Sequence, residues 1–180
     1  MKSFAIAATL LAAAPAALGQ FVGLAARSAS PIHFGSINAA GGKFWIGKET
    51  SSYCPSSVVA DCETAYPGNV TVFAGGDNTL GLNTAVPGGQ QVYIAPDGSL
   101  SFTQAHSAYT PEGSVTTGFT LSSSSGLGYL GWTNGFTACA SPNGTFPYQI
   151  FGGGFNQTNC LGFNFLASNY TGGTNAWQYA

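Results

Sequence analysis

The chain has 180 residues, a formal charge of −2 and only 6% charged residues, against 44% hydrophobic and 13% aromatic ones. An ordinary soluble domain carries about 25% charged residues. So sparse a charge excludes long solvated helices and coiled coils, and it leaves no basic patch for phosphates, so nucleic acid is not an expected partner.

Residues 1–19 have the form of a secretory signal. Lys2 precedes an apolar run from Phe4 to Ala13, and the small residues Ala17 and Gly19 stand at the −3 and −1 positions before Gln20. The run is too short to span a bilayer. The expected mature chain is therefore 20–180, a single secreted domain. Its C-terminal residues lack the hydrophobic tail of a lipid-anchor signal, so no membrane anchor is expected.

Beyond Gln20, short apolar runs alternate with turn chemistry. Phe21–Ala26 is followed, after Gly41-Gly42, by Lys43–Ile46. Val70–Phe73 leads through Gly75-Gly76-Asp77-Asn78, a predicted turn, into Leu80–Leu82. Gln91–Ile94 turns at Pro96-Asp97-Gly98 into Leu100–Phe102, with Val92 and Ile94 on one face and Tyr93 on the other. Phe119–Leu121, Leu127–Tyr129, Phe136–Cys139, Tyr148–Phe151 and Cys160–Phe165 complete the series. The spacing is that of antiparallel hairpins in an all-β domain, either a sandwich or a closed barrel, with a β-trefoil also compatible with the length.

Four cysteines allow three pairings; the sequential one, Cys54–Cys62 with Cys139–Cys160, closes two local loops and is expected. A zinc site is disfavoured, because there is no C-x-x-C and neither histidine stands at ligand spacing from a cysteine. No metal or cofactor site is expected. Four N-x-S/T acceptors, Asn69, Asn143, Asn156 and Asn169, mark candidate glycosylation sites.

No Asp, Glu, Lys, Arg or His occurs from Gly113 to Ala180. General acid–base chemistry therefore has to draw on residues 20–112. There, Asp97 and Glu112 sit in turn sequences, Asp61 and Glu63 flank Cys62, and His33 and His106 are the two imidazoles. A carboxylate pair of Asp97 with Glu112, or a Ser107–His106–Asp97 triad, is conceivable, but no G-x-S-x-G elbow is present and no catalytic residue is assigned. Gly126–Gly131 satisfies G-x-G-x-x-G without the following helix and acidic residue of a dinucleotide site, and Gly152-Gly153-Gly154 lacks the lysine of a phosphate loop. Trp45, Tyr129, Trp132 and Trp177 lie beside Gly and polar residues. Where exposed, such rings suit the CH face of a sugar, so they are the candidate carbohydrate contacts.

Several stretches carry a family resemblance: RSASPIH (27–33), AAGGKFWIG (39–47), PGGQQVYIAPDGSL (87–100), TQAHSA (103–108), the Cys139/Cys160 pair and AWQY (176–179). They resemble a family of small fungal secreted proteins whose members are named cell wall protein PhiA, connected with phialide and conidium development, or IgE-binding protein. The resemblance implies a non-enzymatic extracellular, wall-associated protein, with wall polysaccharide or wall proteins as partners and no catalytic residues.

Overall fold

The computed structural model describes residues 19–124, 127–153 and 158–180, so the predicted signal segment up to Leu18, Asn156 and Gly126 lie outside it. Thirteen strands dominate the described residues: β1 Gln20–Ala26, β2 Ile37–Ala40, β3 Lys43–Ile46, β4 Ser52–Tyr53, β5 Val72–Leu82, β6 Gln90–Ile94 and β7 Leu100–Phe102 in the first part of the chain. They continue as β8 Phe119–Ser124, β9 Leu127–Gly131, β10 Phe136–Ala140, β11 Tyr148–Gly152, β12 Cys160–Asn169 and β13 Gln178–Tyr179. Among the described residues a single four-residue helix, α1 (Cys62–Ala65), accompanies them.

Nine strands close an antiparallel barrel in the order β12-β10-β11-β3-β7-β6-β5-β8-β9, with β9 returning to β12. Of the architectures compatible with the sequence, the molecule adopts the closed barrel. Closure removes the unpaired edges that would otherwise invite association. β1 pairs with β12 and β5, β2 extends β3, and β13 pairs with β4 as a separate ribbon.

The interior is aromatic. Phe73 of β5 packs on Phe21 at 5.5 Å, Phe44 at 5.2 Å and Phe165 at 5.4 Å between ring centroids, and Phe44 continues to Phe102 at 5.3 Å. These rings come from four barrel strands, β3, β5, β7 and β12, and from β1, which pairs with two of them, so their burial draws on distant parts of the chain. Full burial of one such side chain contributes about 1.5–3 kcal/mol.

The turn predicted at Gly75–Asn78 is instead a bend inside β5, an 11-residue strand. Gly75 and Gly76 take φ of 93° and 105°, which glycine adopts without the Cβ clash that other residues meet. The bend lets one strand change partners. Residues Val72–Ala74 face β1, Asp77 and Asn78 face β8, and Leu80–Leu82 face β6. The turn at Pro96-Asp97-Gly98 is present as expected: Gly98 N–H donates to the Ala95 carbonyl at 2.8 Å and Ala95 N–H to the Ser99 carbonyl at 2.9 Å.

Both expected disulfides are formed. Cys54–Cys62 ties β4 to α1, and Cys139–Cys160 joins β10 to β12, where the two cysteines are direct cross-strand partners.

Candidate functional site

The Gly41-Gly42 turn between β2 and β3 has φ of 64° and 72°, positive at both central residues, as a two-residue type I′ hairpin requires. The Gly42 carbonyl accepts a hydrogen bond from Phe102 N–H at 3.0 Å, which docks this hairpin on the end of β7. Register then places three outward side chains abreast, since Lys43 of β3 pairs with Ser101 of β7 and Ser101 pairs with Tyr93 of β6. The inward neighbours Val92, Ile94, Leu100 and Phe102 belong to the core. The long segment from Thr103 to Gly118 folds over this outer face, so Ser99 and Ser101, although directed away from the core, are buried.

Between that segment and the β3–β7–β6 face lies a cleft of about 580 Å³ lined by Lys43, Tyr93, Asp97, Gln104, Ser107 and Tyr109, among others. A second depression of about 450 Å³ adjoins it; Gly41, Gly42, Phe102, Thr103 and Gln104 line both, and His106 lies in the second. Asp97 is fixed from beneath. Its Oδ1 accepts the Ser99 hydroxyl at 2.6 Å and the Ser99 N–H at 2.9 Å, and its Oδ2 faces Lys43 Nζ at 3.4 Å. The Ser99 hydroxyl bond above all, helped by the Ser99 N–H and Lys43, holds the Asp97 carboxyl below its ordinary range despite partial burial. Burial pushes the Tyr93 hydroxyl above its ordinary value, with the Asp97 carboxylate and Tyr109 adding to the rise.

The catalytic constellations conceivable from sequence do not form. Ser107 Oγ accepts Tyr109 N–H at 3.1 Å and Asp97 is held by Ser99 and Lys43; among the described residues no hydrogen bond joins either to His106. Glu112 is exposed and does not line the cleft. Asp77 lies in β5 opposite Thr120, Asp61 and Glu63 lie at the start of α1, and His33 Nδ1 accepts Arg27 N–H at 3.2 Å. Leu127–Gly131 of the apparent dinucleotide motif is strand β9, and Gly152 closes β11. Among the described residues no three His, Cys, Asp or Glu side chains gather as a metal site would require.

The four candidate sugar-contact aromatics are dispersed. Trp45 is half-buried, donates its Nε1–H to the Ala40 carbonyl at 2.9 Å and carries Lys48 Nζ 4.8 Å above its ring. Trp132 donates to the Thr117 carbonyl at 3.1 Å, and Trp177 packs edge-on against Tyr66 at 5.5 Å. Tyr129 is exposed on β9, beside a separate depression. Of the candidate glycosylation sites, Asn69, Asn143 and Asn169 are exposed, and none lines the cleft. Asn143 Oδ1 accepts the Thr145 hydroxyl at 3.0 Å, and Asn69 Oδ1 accepts Asn175 Nδ2–H at 3.2 Å.

Sequence reasoning passed over Lys43, Tyr93, Ser101 and Tyr109 as site residues. A signal existed: the stretches 39–47, 87–100 and 103–108, which carry the family resemblance, all contribute to this one cleft.

Comparison with known proteins bears out the family resemblance. An uncharacterized secreted protein of Arthroderma benhamiae is 41% identical over 159 residues, covering 79% of this chain and 76% of the relative. No solved structure matches the chain significantly. The family of PhiA-like secreted proteins matches residues 21–180, so the chain belongs to that family and is a secreted protein of the fungal PhiA type.

Proposed function

We propose that this secreted protein is a wall-associated fungal glycoprotein that acts by binding and not by catalysis, in a role linked to conidium and phialide development. The observation that carries the reading is the state of Asp97, the one carboxylate among the described residues lining the cleft over the β3–β7–β6 face. Two bonds from Ser99 and one from Lys43 fix the carboxyl and hold its pKa below the ordinary range, which suits a standing hydrogen-bond acceptor better than a proton donor. The partners proposed are wall polysaccharide or wall proteins. Exposed Asn69, Asn143 and Asn169 support glycosylation, and sugars there would solvate a surface short of charge.

Fractionation of hyphae and culture fluid, with binding of the pure protein to isolated walls, tests this. Retention of the protein on washed walls is expected, with no turnover on glycan and ester substrates. Turnover abolished by Glu112→Gln or His106→Ala would replace the reading with that of a small secreted hydrolase.

A further inference from the structure

We propose that the cleft between the β3–β7–β6 face and the Thr103–Gly118 segment binds a chain of neutral pyranose sugars, with Tyr109 as stacking platform and the Lys43–Asp97 pair as the hydroxyl-reading group. The proposal rests on the wall-binding reading for the source of the ligand, and on the cleft itself for its chemistry.

Three features select this ligand class. First, Tyr109 is 74% exposed although it lines a cleft, so a large ring faces solvent where a sugar's CH face can cover it. Second, Lys43 and Asp97 neutralise each other at 3.4 Å. A lone lysine would favour phosphate or uronate, whereas the pair offers one donor and one acceptor with no net attraction for an anion. A vicinal diol satisfies both, donating to the carboxylate and accepting from the ammonium. The Asp97 side chain keeps 59% of its surface open, so lone pairs remain for a ligand, while buried Ser99 fixes its orientation beforehand. Third, the depression that shares Gly41, Gly42 and Gln104 extends the cleft beyond one sugar ring, so a chain fits better than a monosaccharide.

The site differs from the scattered tryptophans. Trp45, Trp132 and Trp177 have structural partners, while Tyr109 is tied through its backbone N–H to Ser107 and its ring is left open.

Calorimetric titration of the full secreted protein with laminarihexaose and with chitohexaose separates a glucan from a chitin ligand of the same chemistry. Saturable binding of at least one is expected, weakened tenfold or more by Tyr109→Ala and by Asp97→Asn, retained in Tyr109→Phe and unchanged in Val58→Ala, an exposed position away from the cleft. Amide chemical shifts of the wild type on titration should move at Lys43, Asp97 and Gln104, a readout independent of any variant's folding. The proposal is overturned if neither hexaose binds, if binding survives Tyr109→Ala and Asp97→Asn, or if a hexagalacturonate binds more tightly than both. Retention on isolated walls that is indifferent to these substitutions refutes the cleft and leaves wall association standing. Hexaose binding without wall retention refutes wall association and leaves the cleft standing.

Discussion

Gln90 and Tyr179 are joined by two hydrogen bonds that reproduce a backbone pairing with a side chain. Gln90 Oε1 accepts Tyr179 N–H at 2.7 Å, and Gln90 Nε2 donates to the Tyr179 carbonyl at 3.0 Å. The same amide donates to the Thr103 carbonyl at 2.9 Å. Gln90 thereby fastens β13 to the start of β6 and to the start of the segment that covers the cleft. Tyr179 completes the latch from its other end, where its hydroxyl accepts Val72 N–H and donates to the Val70 carbonyl, each at 3.0 Å.

Replacing Gln90 with Glu should be severely destabilising. The carboxylate lacks the two donors that now satisfy the Thr103 and Tyr179 carbonyls, and burial of an unpaired charge beside two carbonyls adds to the loss. A cost of about 3 kcal/mol or more is expected, since one stranded buried group alone costs about 1–3 kcal/mol. Urea unfolding measures it, and amide exchange at Tyr179 and Ala180 should accelerate first.

Tyr179 gives the protein an alkaline limit. Burial pushes its hydroxyl from 10.0 to about 12, with Tyr170 adding to the rise and the bond from Val72 N–H opposing it. A folded-state pKa raised in this way means that the native state holds its proton while the unfolded chain has lost it. The stabilisation is complete below pH 10 and disappears as the pH rises towards 12, a loss of about 2–3 kcal/mol. Melting temperatures between pH 9 and 12 should fall in the wild type. Tyr179→Phe should lack that component of the fall, and should be less stable at pH 7 because Val72 N–H and the Val70 carbonyl lose their partner.

Gly76→Ala should damage the bend in β5. The position has a φ of 105°, and an added Cβ would stand 2.7 Å from Leu121 Cβ of β8. A cost of about 1–3 kcal/mol follows from strain and overpacking. Gly173→Ala, with ordinary φ and open space around the new atom, is the matched control and should be nearly neutral in thermal melts.

The two disulfides should contribute unequally. Their sequence separations are 8 and 21 residues, and loop-closure entropy grows with the logarithm of loop length. Replacing both cysteines of either pair with Ala should cost about 3 kcal/mol. Loss of Cys139–Cys160 should exceed loss of Cys54–Cys62 by about 0.9 kcal/mol in chemical unfolding.

The alternation of Val92, Tyr93 and Ile94, and of Leu100, Ser101 and Phe102, already assigned each side chain to a face, because the pleat has a period of two. Cysteine spacing pointed to the local pairing, and the lack of Asp, Glu, Lys, Arg and His from Gly113 onward confined the carboxylates and imidazoles to the first part of the chain. The Gly75–Asn78 stretch misled because glycines that make a tight turn and glycines that bend a strand have the same composition; the choice belongs to the partners β1, β6 and β8.

Local sequence thus determined most of the strands, though not β2, β4 or β13, where most turns fall and which residues of β6 and β7 face inward, since those properties arise from steric preferences and solvation within a few residues. Only the tertiary structure decided that the strands close into a barrel, and that Lys43, Ser101 and Tyr93, distant in the chain, stand abreast beneath Tyr109. Register between strands is a cooperative property of the whole circuit: each pairing is fixed by its neighbours and by the shared aromatic interior, and no single stretch carries that information.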